Sequence, residues 1–145
     1  MKKFKKAVLL ILVSALFCAC PDYSNWHRDI YLINNTDKEI ALQMLFSNKS
    51  ENKWECDGPG IYIPTTVGAN SILKHSDAKR SPGWEGSLNQ GQILNILVAD
   101  CETYDKYWRE PCDTMRKYVP ILHHYKLKLE DLQRMNWTVV YPPEK

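Results

Sequence analysis

Beyond its first few residues the chain has no run of Lys and Arg, and nowhere do basic residues cluster with interleaved aromatics. Nucleic-acid binding leaves that kind of electrostatic footprint, so no nucleic-acid partner is expected. No two of Cys56, Cys101 and Cys112 stand at the close C-x₂₋₄-C spacing of a structural zinc site. That argues against pooling them with His75, His123 and His124 as ligands, and no metal or cofactor is expected. No Ser or Cys lies in a recognisable nucleophile motif. There is no internal repeat, no low-complexity tract and no apolar run long enough to remain as a membrane-spanning helix.

What the chain does have begins at its amino end. Lys2, Lys3, Lys5 and Lys6 form a positive segment, residues 7–17 are apolar, and Phe17-Cys18-Ala19-Cys20 fits a loose lipobox. The expectation is a bacterial lipoprotein leader, residues 1–19, removed to leave Cys20 as the lipid-bearing first residue. That implies export and anchoring through acyl groups such as palmitate to a membrane of the cell envelope, expected to be the outer membrane. Residues 20–28 are then expected to be a tether and residues 29–145 a single globular domain. Of 145 residues the leader takes 19, leaving 126, enough for one modest core. The leader holds four of the 19 basic residues and no acid. The mature part therefore has 15 basic against 17 acidic residues, and the basic balance of the whole chain belongs to the leader.

Export also bears on the cysteines. Cys56, Cys101 and Cys112 remain in an oxidising compartment, where disulfides persist. Cys101 with Cys112 closes the shortest loop and is the first expectation, adding about 2–3 kcal/mol by the chain-entropy account. Cys56 with Cys112 and Cys56 with Cys101 are the alternatives.

Residues 29–34 are β-rich. Residues 39–46 follow with Ile40, Leu42, Met44 and Phe46 at period two, so the pair reads as a hairpin across the turn formers at 34–38. Residues 47–60 read as loop, residues 61–64 and 71–75 as short strands, and residues 77–91 as a long surface loop containing Trp84. Residues 92–99 are the most apolar mature segment and read as a central strand buried on both faces. Pro111 suits the first turn of a helix running to Tyr118. Residues 121–127 read as strand, 129–135 as a two-turn helix and 137–141 as a last strand stopped by Pro142 and Pro143. About seven strands against two short helices predict a mainly β fold, an antiparallel sandwich-like domain with its helices near the C-terminus. The alternative is α+β.

Two segments resemble a known family. The stretch from His124 to Pro143, with Leu129-Glu130-Asp131-Leu132-Gln133, Asn136-Trp137 and Tyr141-Pro142-Pro143, is similar to the closing segment of small uncharacterised lipoproteins of Bacteroidetes. Residues 31–40 resemble their first hairpin. The resemblance implies a lineage and no activity. The chain departs from it at Lys126 and Lys128, so the usual N-cap residue of the following helix is missing. The same resemblance gives Asp113-Thr114-Met115 the Asp-Ser/Thr-apolar pattern of O-glycosylation in that group, with Thr114 as the acceptor, which would have to be exposed.

Candidate functional residues are few. Asp100, Glu102 and Asp105 follow the buried strand, where acids serve either as a carboxylate pair for hydrolysis or as a solvated turn. His123 and His124 are adjacent on an expected strand and should face opposite ways. Trp84 and Trp54 fall in expected loops, where an exposed aromatic stacks on a sugar or anchors a protein contact. The competing reading is that both fold down as lids over the core. The function expected is a lipid-anchored, non-enzymatic binding or accessory module contacting an envelope protein or glycan. The alternative is a carboxylate-dependent hydrolase of the envelope.

Overall fold

A computed structural model describes residues 26–47, 52–56, 65–76, 83–89 and 91–143. The leader, Cys20 and the strand expected at 61–64 lie outside the described residues. Within them are seven strands and four short helices: β1 Asp29–Asn34, β2 Ile40–Ser47, β3 Thr65–Val67, β4 Ser71–Ser76, α1 Gly83–Leu88, β5 Ile93–Asp100, α2 Cys101–Tyr107, α3 Cys112–Tyr118, β6 His123–Leu127, α4 Leu129–Arg134 and β7 Thr138–Tyr141. The fold is mainly β and sandwich-like. One sheet has the order β4-β1-β7 and the other β3-β2-β5-β6. Pairing is antiparallel except between β1 and β7, which run parallel.

β5 explains the layering. Its alternate residues Leu94, Ile96 and Val98 face the three-stranded sheet, meeting Ile30, Leu32 and Val139 there and Ile40 and Leu42 from β2. Leu97 and Ala99 face the other way, into a second core with Ala41, Trp54, Tyr104, Met115 and Val119 under α2 and α3. A strand clothed on both faces has little polar side to show, and this is why residues 93–99 are apolar but for the buried Asn95. Ile40, Leu42, Met44 and Phe46 share one face of β2, as their period requires.

The expected hairpin between β1 and β2 does not form. The two strands enter different sheets, and Asn34 redirects the chain. Buried completely, its Nδ2 donates to the carbonyls of Lys38, Val67 and Gly68, while its Oδ1 accepts from the Thr36 N–H and hydroxyl. The turn formers at 34–38 thus make a crossover between sheets.

Three further expectations are corrected. The loop containing Trp84 holds helix α1. A second unforeseen helix, α2, starts where Asp100 caps it: Oδ2 accepts from the Thr103 N–H and hydroxyl at 2.9 and 2.8 Å. The disulfide joins Cys56 to Cys112, with Cα atoms 5.5 Å apart, and leaves Cys101 free and buried. The pairing follows from how residues 54–56 dock. Glu55 exchanges two hydrogen bonds with the buried Gln43 side chain, and Arg116 of α3 donates to the Trp54 carbonyl. Cys56 is thereby carried to the start of α3. Helix α4 forms without an N-cap side chain at Lys128, because the Asp131 carboxylate accepts from the Lys128 N–H at 3.0 Å.

Candidate functional site

The structure removes Trp84 and Trp54 from the surface. Trp84 is 2% exposed; its indole N–H donates to the Arg28 carbonyl and its ring packs near Phe46 and His75. Trp54 is 1% exposed, stands edge-on to Tyr104 and donates to the Val119 carbonyl. Each indole finds one backbone acceptor and an apolar socket, so burial leaves no polar atom unsatisfied. Neither can be an exposed anchor, and the lid reading is the correct one.

The acids after β5 lie along α2 and its cap. Asp100 is spent on its cap, and the hydrogen bonds from Thr103 hold its carboxyl below the usual carboxylate range. A general acid needs the opposite shift. Glu102 and Asp105 are exposed on α2. His123 and His124 face opposite ways: His123 packs edge-on against Tyr125, while His124 Nε2 hydrogen-bonds the buried Asn95 at 2.8 Å on the other face of the sheet. Burial, with Lys126 and His123 nearby, pushes the His124 imidazole below its ordinary value. Thr114 stands half-buried in the first turn of α3, its N–H bonded to the Pro111 carbonyl.

A concavity among the described residues lies elsewhere, at the start of β1. It is an open cleft of about 550 Å³ lined by Trp26, His27, Arg28, Asp29, Tyr31, Asn136 and Trp137. Residues 26–28 were expected to be tether; here they are built into the domain. Both Glu85 carboxylate oxygens accept from the His27 N–H at 2.9 and 3.0 Å, and His27 Nδ1 donates to Oε1 at 2.7 Å. The His27 carbonyl in turn accepts from the Trp84 N–H. Gly83 permits this closeness, since a Cβ there would stand 2.9 Å from the His27 carbonyl oxygen and its φ is +72°.

The floor is Trp137. The His27 ring stacks on it at 4.2 Å and 15°. Asn136 and Trp137 both take left-handed backbone conformations, with φ of 48° and 58°. Such conformations cost of the order of 1–3 kcal/mol each in residues other than glycine. They persist because the Trp137 N–H is tied to the Leu132 carbonyl and its own carbonyl accepts from the Tyr31 N–H. The bent exit from α4 delivers the indole beneath His27 at the head of β7. Asp29, on the rim, accepts from the Ser76 hydroxyl at 2.5 Å and pairs with Lys74 at 2.9 Å, and these bonds hold its carboxyl low.

Sequence reading missed His27 and Glu85. They are 58 residues apart, and Glu85 sits in what read as a loop, so no local pattern joins them. The strained Trp137 had one visible sign, the Asn136 before it, since Asn tolerates left-handed backbone better than most residues. No protein-family model, curated protein or solved structure matches the chain.

Proposed function

We propose that this is a cell-envelope lipoprotein, anchored to the outer membrane through Cys20, that binds an envelope protein or glycan in the cleft at His27 and Trp137. In this reading it belongs with the small Bacteroidetes lipoproteins that its C-terminal segment resembles, and it acts as a binding or accessory module. The leader supports the anchor. The binding reading rests on how the cleft is furnished. Its walls offer aromatic surface from Trp26 and Tyr31 and polar groups from Arg28 and Asn136, while both carboxylates beside it are already engaged, Asp29 by Ser76 and Lys74, Glu85 by His27. Carboxylates engaged in this way position the chain segments they hold.

Two measurements test this. Metabolic palmitate labelling should mark the wild-type protein and leave Cys20→Ala unmarked. Crosslinking in intact cells, followed by affinity capture and mass spectrometry, should recover a partner that Trp26→Ala and Arg28→Ala both lose while the melting temperature is retained. Equal recovery with both variants would place binding outside the cleft.

A further inference from the structure

The outer face of the β4-β1-β7 sheet has no covering layer among the described residues. Ile30, Leu32, Leu73 and Val139 point into the core, so Tyr31, Ile33, Ile72, Lys74 and Val140 point out. The register aligns Ile72, Ile33 and Val140 in one apolar row across all three strands, with Lys74, Tyr31 and Thr138 forming the next row. Ile72 is 65% exposed, the most of any large apolar side chain among the described residues. Tyr118 and Leu122, which are also exposed, lie at the end of α3 and just before β6.

The position of this face relative to the chain's amino end gives it meaning. Only residues 21–25 separate Cys20 from Trp26. Fully extended, they allow a reach of about 20 Å. A domain of this length is on the order of 35 Å across, so such a tether cannot present the far side to the anchor. Trp26 and Arg28 open onto the same cleft as Tyr31, at the head of β1. The surface nearest the anchor is therefore the one that combines the exposed Ile72 and the half-buried Ile33 and Val140 with a tryptophan, a tyrosine and the cation Arg28. Aromatic residues of this kind favour the headgroup level of a bilayer, and basic residues favour anionic lipid.

We propose that the outer face of the β4-β1-β7 sheet is the surface on which the anchored domain lies against its own membrane. The proposal rests on acylation at Cys20. Ile72, Ile33 and Val140 meet the acyl boundary, Trp26 and Tyr31 sit among the headgroups, and Arg28 faces lipid phosphate, while Lys74 stays paired with Asp29. The cleft then opens at the membrane surface, so its ligand is one presented there. A row of three aliphatic side chains is too small to hold a free domain on lipid. The anchor supplies the effective concentration that makes the contact intramolecular.

The test uses the acylated protein, beginning at Cys20, in vesicles of phosphatidylethanolamine and phosphatidylglycerol. A nitroxide is attached at Ile72→Cys and, in a second protein, at Leu122→Cys. Cys56 and Cys112 are bonded to each other and Cys101 is buried, so the introduced thiol is the reactive one. Paramagnetic accessibility then reports depth. The Ile72 label should show an oxygen-to-nickel-chelate accessibility ratio severalfold above that of the Leu122 label. Equal, water-like values at the two positions would overturn the proposal. So would protection at Ile72 accompanied by spin–spin broadening that grows with the protein-to-lipid ratio, because a second copy would then cover the face. Palmitate labelling of the same material separates the two readings: unlabelled protein defeats the anchor and the proposal together, whereas labelled protein with a water-exposed Ile72 defeats the proposal alone.

Discussion

Trp84→Ala is expected to lower stability by about 3–5 kcal/mol, the usual cost of removing a buried tryptophan. Urea unfolding would show it, and a near-zero change would mean the indole is not in the core. Glu85 gives a second prediction at this scale. Glu85→Ala leaves the His27 N–H without its acceptor and should cost about 1–3 kcal/mol. The loss should be accompanied by faster proteolysis next to residues 26–28, because that segment is held to α1 through Glu85. Composition marks Trp84 as important and leaves its side of the surface open. A tryptophan in a polar, glycine-containing stretch looks the same whether it projects or folds inward. Only the acceptor that its N–H reaches, the Arg28 carbonyl, decides between the two.

Among elements, the crossover after β1 carries much of the architecture. Asn34→Ala strips the acceptors at Lys38, Val67 and Gly68 of their buried donor, and about 2–3 kcal/mol should be lost. Chemical denaturation would measure this, and a loss comparable to that of an exposed Asn35→Ala would refute the assignment. The disulfide closes a separation of 56 residues, so Cys112→Ala should cost about 4 kcal/mol on the chain-entropy account. Cys101→Ala should retain the bridge on non-reducing peptide mapping. β5, β6 and α4 were readable because each declares itself within a few residues, by a mostly apolar run, by alternation or by helical spacing. The fate of residues 34–38 was not, because a polar turn serves a hairpin or a crossover equally well until its partner carbonyls arrive from β3.

For the whole domain, the pH dependence of stability follows from groups whose ionisation folding opposes or favours. Burial pushes the Cys101 thiol up from 9.0 to about 11 and the Tyr104 and Tyr125 hydroxyls from 10.0 to about 12. The unfolded chain releases these protons first, so their contribution is complete below pH 9.0 and disappears as pH rises through 11 and 12. On the acid side, His124 and Asp100 are held below 6.5 and 3.8. Their contributions are present above those values and lost as the pH falls, when the unfolded chain takes up protons that the folded chain resists. The urea midpoint should therefore fall on both sides of a plateau between about pH 6.5 and 9. Cys101→Ala should soften the early part of the alkaline fall, and an unchanged alkaline limb would show that the thiol is not sequestered.

The sequence by itself determined the mainly β character, the doubly buried β5, the inward face of β2 and the late helix α4, because each depends on the order of apolar and polar residues along a few turns or pleats. It also carried the case for anchoring at Cys20, since charge, apolar length and small residues are read locally. The tertiary structure decided which strands share a sheet, which cysteine pairs with Cys112, which way the tryptophans face and where the cleft lies. Those outcomes depend on contacts between residues tens of positions apart, such as Glu85 with His27 and Arg116 with Trp54, and the spacing of residues along the chain carries no record of them.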